Sequence, residues 1–512
     1  MRGNTMRGVY TNLTDIRRRV FLEVAKLAYE GSSQQCDFDE LPYHIIPGDV
    51  ATYRESVFLE RAIVGERIRL AMGLPLQGVD RPANVSDGVT DAAKAETYYQ
   101  PPLINIIKFA CNSCKHDMYE VSDMCRGCLA HPCREICPKD AISFVKGKAY
   151  IDQEKCIQCG RCKQVCPYGA IVYHERPCAN ACGMDAIGSD EYGRADIDYD
   201  RCVSCGMCLV NCPFGAIADK SQLYQVIQAI NAGEEVIAAV APAFVGQYGG
   251  KGNVDKLKAS FLQLGFAGVE EVAVGADLCT IQEANDYLKE VVDEEKLPFM
   301  GTSCCPAWSV MAKMEFPEHA ECISMALTPM VLTARLIREH HPKAKIVFVG
   351  PCAAKKLEAM RRSVRSEVDF VLTFEEVAAM LACKEIDYTK VDGTGHSDFD
   401  EASADGRGFA VSGGVANAVV NQIKSLRPDL EVNVKAAEGL ENCRAMLKDA
   451  IKGKYPGYLL EGMACPGGCV GGAGTLQAIK KSAGMVAMYQ KRAARKIAGE
   501  DANADELDAL IE

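Results

Sequence analysis

The sequence predicts a helical N-terminal segment, a cysteine-dense α+β region and a larger α/β domain. Three observations predict it. Of 26 cysteines, sixteen fall between residues 101 and 220 in short ordered spacings. Residues 221–490 alternate short apolar runs with helical patterns, which argues for a largely parallel sheet. Residues 53–72 place apolar side chains three and four apart between arginines and glutamates, which reads as a helix.

Composition narrows the class. A chain of 512 residues has room for about three or four domains. Its net charge of −12 argues against a nucleic-acid or anionic-membrane surface. No apolar run reaches the ~18 residues a spanning helix needs, and no signal peptide is visible behind Arg17, Arg18 and Arg19. A secreted disulfide scaffold would be small. Thiolates bound to soft metal in a reducing cytoplasm fit a chain this long better.

The elements follow in order. Residues 1–100 hold one cysteine, Cys36, and the helix over 53–72 is expected to carry a solvated charged face. Residues 77–100, polar with scattered Pro and Gly, read as a linker. Residues 101–220 form the cysteine region. In 221–490, strands are expected at 236–240, 270–274, 346–349, 409–411 and 458–460, with helices over 279–292 and 329–339. Residues 491–512 read as an acidic, helical or frayed tail.

The cysteine region repeats itself. A unit Cys-(Pro/Gly)-x-x-Ala-Ile starts at Cys137, Cys166, Cys182 and Cys212, and Ile-Asp-x-x-x-Cys-x-x-Cys-Gly starts at Ile151 and Ile197. Cys156, Cys159, Cys162 and Cys166 thus match Cys202, Cys205, Cys208 and Cys212. Gaps of two, two and three followed by proline are the bacterial ferredoxin run, in which three cysteines bind one 4Fe–4S cluster and the fourth reaches another. Zinc would use paired Cys-x-x-Cys knuckles without the third cysteine.

By that logic Cys125, Cys128, Cys133 and remote Cys166 hold one cluster, despite a longer gap before Cys133. Cys156, Cys159, Cys162 and Cys137 hold a second, and Cys202, Cys205, Cys208 and Cys182 a third. Cys178 and Cys212 then lack partners, and Cys111 with Cys114 supplies two. This gives a fourth cluster, with one ferredoxin-like unit nested in the other; a vacant or zinc-filled Cys111–Cys114 pair is the alternative. Clusters in series make an electron wire.

Three further motifs lie beyond. They read Thr302-Ser303-Cys304-Cys305-Pro306-Ala307-Trp308, Gly350-Pro351-Cys352-Ala353-Ala354-Lys355-Lys356, and Glu461-Gly462-Met463-Ala464-Cys465-Pro466-Gly467-Gly468-Cys469. Cysteines from three distant loops can converge on one more cluster. The glycines around Cys469 are expected to let the backbone approach something bulky. Adjacent cysteines cannot both face one cluster corner, so Cys304 or Cys305 is spare. A spare thiol, with an ordinary pKa of roughly 8.5, passes protons near neutral pH. Cys36, Cys279, Cys322, Cys383 and Cys443 have no spacing partners and read as structural thiols.

With these motifs, residues 101–480 resemble the iron-only (FeFe) hydrogenases. The Ala307-Trp308 ending looks closest to the branch often called group B. The resemblance implies an α/β domain of two lobes around an H-cluster, a 4Fe–4S cubane joined through one cysteine to a diiron unit with CO, cyanide and an azadithiolate bridge. Carried over by motif, Cys305, Cys352, Cys465 and Cys469 bind the cubane, with Cys469 bridging. Cys304 exchanges protons with the bridging amine, Lys355 hydrogen-bonds a cyanide, and Met463 and Phe409 pack near the diiron unit. The family's relay runs from that cysteine through a carboxylate and a serine to an outer carboxylate, matched by Asp286, Ser324 and Glu283. Asp286 replaces the usual Glu, and Glu290 the outermost arginine. Carboxylates on a solvated helix face are the plain alternative for Glu283 and Asp286. Ala243 and Met330 stand where polar residues are common and imply a more apolar pocket.

The implied activity is reversible conversion of H2 to two protons and two electrons. A ferredoxin-type carrier and diiron maturation proteins are its implied partners, and neither nucleic acid nor membrane is. The acidic chain suits an acidic ferredoxin only where a local basic patch exists. A hydrogen sensor and a non-catalytic iron–sulfur scaffold are the rivals. Electron bifurcation would need a partner chain, because no flavin or nicotinamide site is visible.

Overall fold

The computed structural model describes residues 8–31, 35–78, 80, 83–94, 101–249, 254–361, 364–392, 401–501 and 503–511. Two parallel sheets organise the larger domain. The first has four strands in the order Gly268–Glu271, Val236–Val240, Lys345–Gly350, Phe370–Thr373. The second has three, in the order Met300–Gly301, Leu459–Met463, Val434–Glu438. The central strands Val236–Val240 and Leu459–Met463 are buried throughout, as expected of parallel strands covered on both faces. Helix Val272–Tyr287 packs on Pro329–His340 and on Gly414–Leu426. The three cysteine motifs, and the 241–243 loop, all follow the C-terminal ends of parallel strands. In open α/β sheets this is the edge where ligands bind.

Several expected elements shift. The strand placed at 270–274 ends at Glu271, and the chain turns at once into a helix. The strand placed at 409–411 does not form. There the short helix Ala404–Gly408, capped by Ser403 Oγ on Gly406 N, runs into a turn that gives Phe409 and Ala410 a cavity to face. Strands Phe370–Thr373 and Val434–Glu438 were not legible in the pattern. The helix expected over 279–292 begins a full two turns earlier, at Val272, and ends in a π-helical stretch, Leu288–Asp293.

The cysteine region is built from short antiparallel pairs. Ile104–Ile106 pairs with Ile217–Asp219, and Ile187–Ser189 with Ala195–Ile197. Between them in sequence, Met118–Val121 pairs with Ile171–His174 and Ile142–Val145 with Lys148–Ile151. Each Cys-x-x-x-Ala-Ile unit delivers its isoleucine as the first residue of a strand: Ile142, Ile171, Ile187 and Ile217. In three of the four, the alanine N–H donates to the sulfur four residues back, at 3.3 Å for Ala141 and Cys137 and 3.4 Å for Ala170 and Cys166 and for Ala186 and Cys182. The repeat therefore encodes a hydrogen bond to sulfur as well as a ligand.

The N-terminal helices are not a solvated appendage. In helix Val57–Ala71 the charged side chains Glu60, Glu66, Arg67 and Arg69 are buried, contrary to the expected exposed face. Backbone groups supply their hydrogen bonds, although Glu60 Oε2 itself has none. Glu60 accepts from the N–H groups of Thr52, Tyr53 and Arg54. Arg69 donates to four carbonyls between Pro75 and Asp87, and Arg67 donates to the Gly215 carbonyl of the cysteine region. Buried charge is tolerated where hydrogen bonds replace water. Helix Asn12–Glu30 lies against Leu223–Asn231 and Phe374–Cys383, with Arg17 paired to Glu375. In the expected linker, Ser86 and Val89 are buried and a short helix, Val89–Ala92, forms; residues 79, 81–82 and 95–100 lie outside the described set. The C-terminal segment is docked rather than frayed, since Leu507 and Leu510 are buried against helix Pro329–His340 and Arg335 donates to the Leu510 carbonyl. Among the described residues, no helix is long and apolar enough to cross a membrane.

Candidate metal centre

The first motif leaves its strand at Gly301. Cys305 precedes helix Pro306–Glu315, whose first residue is proline, a favoured start. Trp308 Nε1 donates to the Thr302 carbonyl at 3.1 Å. A Cβ on Gly462 would lie 2.2 Å from the Trp308 ring, so the first and third motifs are cut to fit each other. Cys305 Sγ accepts from Ala464 N at 3.4 Å. Glu461, fully buried, accepts from Gly413 N at 2.6 Å and Ala416 N at 2.8 Å. That pins the N-terminus of helix Gly414–Leu426 and the turn that carries Phe409.

The glycines after Cys465 serve the chain's own packing. Gly468, at φ +85°, has Ser412 N 2.6 Å from where its Cβ would be, and Gly472 has the Pro351 carbonyl at 2.4 Å. The close approach expected of these glycines is thus to neighbouring loops, which they draw together around the site.

The loops line one shared cavity, almost wholly apolar. Cys304, Cys305, Cys352, Cys465 and Cys469 all line it, as do Lys355, Met463, Phe409, Ala243 and Met330. Lys355 is the one charged residue among the described lining residues. Burial, then the neighbouring Cys352 and Cys305, pushes the Cys469 thiol up to about 12, and burial with Cys305 pushes Cys352 to about 11. Five thiols converge on this apolar cavity, a set of soft donors with no oxygen or nitrogen ligand beside them among the described residues, so the donor set fits an iron–sulfur group.

Lys355 is held from two sides. Its Nζ donates to Thr328 Oγ1 at 2.9 Å and pairs with Glu358 Oε2 at 2.6 Å. Burial pulls the ammonium down, but Glu358, followed by Cys352 and Cys304, raises it on balance. Adjacent Lys356 points the other way. It is fully buried, pairs with Asp219 at 2.7 Å and Glu376 at 3.1 Å, and so clamps the cysteine region to the larger domain. Lys356 and Glu461 stand inside the quoted motifs but were given no role there, and Thr328 and Glu358 were not singled out.

Behind Cys304 lies Glu283, which is fully buried and not on a solvated face. Its Oε1 accepts from Ser303 N at 2.7 Å and lies 3.0 Å from Ser303 Oγ. The Ser324 hydroxyl is close enough to steady the carboxylate charge, while Oε2 keeps no hydrogen bond of ordinary length. Burial raises this carboxyl to about 7 against the Ser303 contacts, which lower it. Asp286 is half-buried and raised by burial and then by Glu290. Glu283, and not Asp286, is therefore the carboxylate beside Ser303 and Cys304, with Ser324 next to it, which reverses the two carboxylates relative to the sequence expectation. Glu283 occupies the inner place because it lies one turn nearer the Ser303–Cys304 loop.

The sixteen cysteines of residues 101–220 gather in fours. Cys125, Cys128, Cys133 and Cys166 line one cavity, and Cys137, Cys156, Cys159 and Cys162 another. Cys208 feels the charges of Cys205, Cys202 and Cys182, which raise it after burial does. Cys178 feels Cys212 and Cys111, and Cys114 feels Cys111 and Cys212. Neighbouring groups lie within electrostatic reach of one another: Cys208 feels Cys178, and Cys205 feels Cys352 of the central cavity. A Cβ on Gly206 would lie 2.6 Å from Ala473 Cβ, so the third group sits directly on the loops of the larger domain.

Comparison with known proteins places these features among relatives. The profile of the iron only hydrogenase large subunit, C-terminal domain, matches residues 234–473; a 4Fe-4S binding domain matches 149–172, and an LdpA Fe-S cluster-binding domain 172–223. The chain is 29% identical over 440 residues to iron hydrogenase 1 of Clostridium pasteurianum, covering 76% of this chain and 75% of that protein. It is 30% identical over 383 residues to the periplasmic Fe hydrogenase large subunit of Nitratidesulfovibrio vulgaris, covering 65% of this chain and 87% of that protein. A cytosolic Fe-S cluster assembly factor of Kluyveromyces lactis is 33% identical over 109 residues, 21% of this chain and 23% of its own.

Proposed function

Because this chain belongs to the iron-only hydrogenase family, we propose that it is a cytoplasmic enzyme interconverting H2 with two protons and two electrons. The observation that carries the reading is one spare thiol, Cys304, sharing an apolar cavity with four other cysteines and Lys355, with buried Glu283 behind it. Cys305, Cys352, Cys465 and Cys469 would hold the cubane of the H-cluster, with Cys469 also reaching its diiron unit. When bound, that unit supplies the open iron site at which H2 is split.

The remaining work falls to the chain. Cys304 takes or gives the proton at its Sγ. Glu283, raised to about 7, can hold a proton near neutral pH or release it, as a relay requires. Ser324 and Asp286 continue the path outward, with Glu290 at its mouth. Lys355, steadied by Thr328 and Glu358, offers a charge-assisted hydrogen bond to an anionic ligand of the centre. Phe409, Met463, Ala243 and Met330 keep the cavity apolar and exclude water. The four accessory groups of cysteines would hold four 4Fe–4S clusters and pass electrons to a ferredoxin-type carrier. Installation of the diiron unit falls to maturation proteins.

Turnover tests this directly. Protein matured with the diiron unit should reduce methyl viologen under H2 and evolve H2 from reduced viologen; failure in both directions refutes the reading. The apolar Ala243 and Met330 lining also suits a slow hydrogen sensor, which would show the assembled centre with little turnover. A scaffold of the assembly-factor kind would not need Cys304 and Lys355 turned into the same cavity.

A further inference from the structure

Helix Ala404–Gly408 hands Phe409 and Ala410 to the cavity, and it is held at both ends. At its C-terminal end Arg407 reaches Glu271 at 3.3 Å and lies over the Tyr489 ring, whose hydroxyl also donates to Glu271. At its N-terminal end the Asp277 carboxyl accepts from Ser403 N at 2.7 Å and from the Ser403 hydroxyl. That hydroxyl in turn caps Gly406 N at 3.1 Å. Little slack remains, since a Cβ on Gly406 would lie 2.3 Å from the Ala273 carbonyl and 2.6 Å from Asp277 Oδ1. Asp277 therefore sets where this wall of the cavity stands.

Asp277 is fully buried, and so nearly is its neighbour Asp501, from the C-terminal segment. Asp501 Oδ1 accepts from Asn503 N and Nδ2, each at 2.8 Å. Asp501 Oδ2 is buried and, among the described residues, meets no N–H or hydroxyl donor. What it can bond is the Asp277 carboxyl, which lies within hydrogen-bonding reach. Two carboxylates are both acceptors, so that bond exists only when one of them carries a proton, and like charges this close do not both ionise. Burial raises both groups, Asp277 the further. The charged groups on the elements packed around them are engaged with other partners. Asp405, raised to about 6 by burial, bonds Asn421 at 2.9 Å, and Arg407 bonds Glu271 and Glu401. Glu500 accepts from Lys496 N at 2.7 Å, Arg335 donates to the Leu510 carbonyl, and Glu506 meets His340 at 3.6 Å. Lys424 and Asp505 are exposed, and Arg495 is the cation that favours ionised Asp501.

We propose that Asp277 and Asp501 hold one proton between them, and that this acid–carboxylate pair ties the C-terminal segment to the cavity wall that bears Phe409. Both are then positioning residues, acting through Ser403. The docked pair holds its proton more tightly than the separated carboxyls do. The tie is therefore present at low pH and lost as pH rises and the second carboxyl ionises. Release reaches the wall directly, because Ala404 N bonds the Arg495 carbonyl at 3.0 Å and Gln490 Nε2 bonds the Ala404 carbonyl at 3.1 Å. The inference goes beyond the hydrogenase reading and needs no turnover.

The test uses the full chain carrying its accessory clusters, without the diiron unit. Amide hydrogen exchange, corrected for intrinsic rates, is followed by mass spectrometry for residues 404–410 and for the C-terminal segment. Strand Val236–Val240 monitors global unfolding. In wild type, protection of the first two should fall together by about tenfold or more between about pH 7 and about pH 9, while the strand holds. In Asp501→Asn the amide oxygen still accepts from Asn503 and the amide N–H donates to Asp277 at any pH, so both segments should change by less than about twofold. Asp277→Asn, whose amide donates to Asp501 instead, is the second variant and carries the same expectation if the first does not fold. Glu506→Gln removes the His340 pair and should follow wild type. Wild-type protection that ignores pH, a fall in the folded asparagine variant equal to that of wild type, a tail that loosens while 404–410 does not, or loss of the pH dependence in Glu506→Gln would each overturn the assignment. The hydrogenase reading stands or falls separately, on turnover.

Discussion

Replacing Glu283 by glutamine should lower turnover and raise stability at the same time. The carboxyl is fully buried, with Ser303 N and Oγ on Oε1. Glutamine keeps the shape and its Oε1 can still accept from Ser303 N, so the fold has no reason to fail. Burial lifts the carboxyl from 4.5 to about 7, which costs about 3 kcal/mol when it ionises in place. The folded state binds this proton more tightly than the unfolded one. The contribution is therefore fully favourable below 4.5 and lost as pH rises through about 7. Glutamine resembles the protonated acid and escapes that loss. The variant should match wild type at about pH 4.5 and exceed it by up to about 3 kcal/mol at about pH 8. Turnover should fall by about 10²–10⁴, the range for lost acid–base catalysis. Trp308, the single tryptophan, is buried in this domain and reports its unfolding by fluorescence in denaturant. A variant no more stable at high pH would refute the raised carboxyl, and one with wild-type turnover would take Glu283 out of the relay.

Other substitutions separate the remaining parts. Cys304→Ala should leave iron content unchanged and lower turnover by at least ~10²-fold, measured with viologen. Cys114→Ala should remove about four irons per chain, read by iron analysis; unchanged iron would break the fourth group. Lys356→Met strands Asp219 and Glu376 as buried charges and should destabilise the protein by about 3–5 kcal/mol in denaturant titrations, with turnover retained while folded.

The chemistry was more legible than the architecture around it. Binding a cubane demands soft ligands at fixed spacing, so the cysteine runs and the three motifs survive as readable strings. The Cys-x-x-x-Ala-Ile repeat was visible for the same reason, although only the structure shows that its alanine N–H reaches the sulfur. Helix Val57–Ala71 defeated the pattern because its charges are spent on backbone carbonyls and amides, which periodicity does not encode. Residues 409–411 read as strand because a short apolar run looks the same whether it faces a sheet or, as Phe409 and Ala410 do, a cavity. The order of Glu283 and Asp286 depended on which of two carboxylates three residues apart turns inward, and that is decided by the Ser303 loop from elsewhere in the chain. Lys355 and Lys356 are identical in sequence terms, yet one faces the cavity and the other the domain boundary.

The most direct test of the central claim is infrared spectroscopy of the matured protein under H2, with turnover measured on the same sample. Bands of iron-bound CO and cyanide that shift on exchange from argon to H2, accompanied by H2 uptake and evolution, are the predicted result. A sample given competent maturation that shows no such bands would contradict it, and the roles of Cys304 and Lys355 would fall with it.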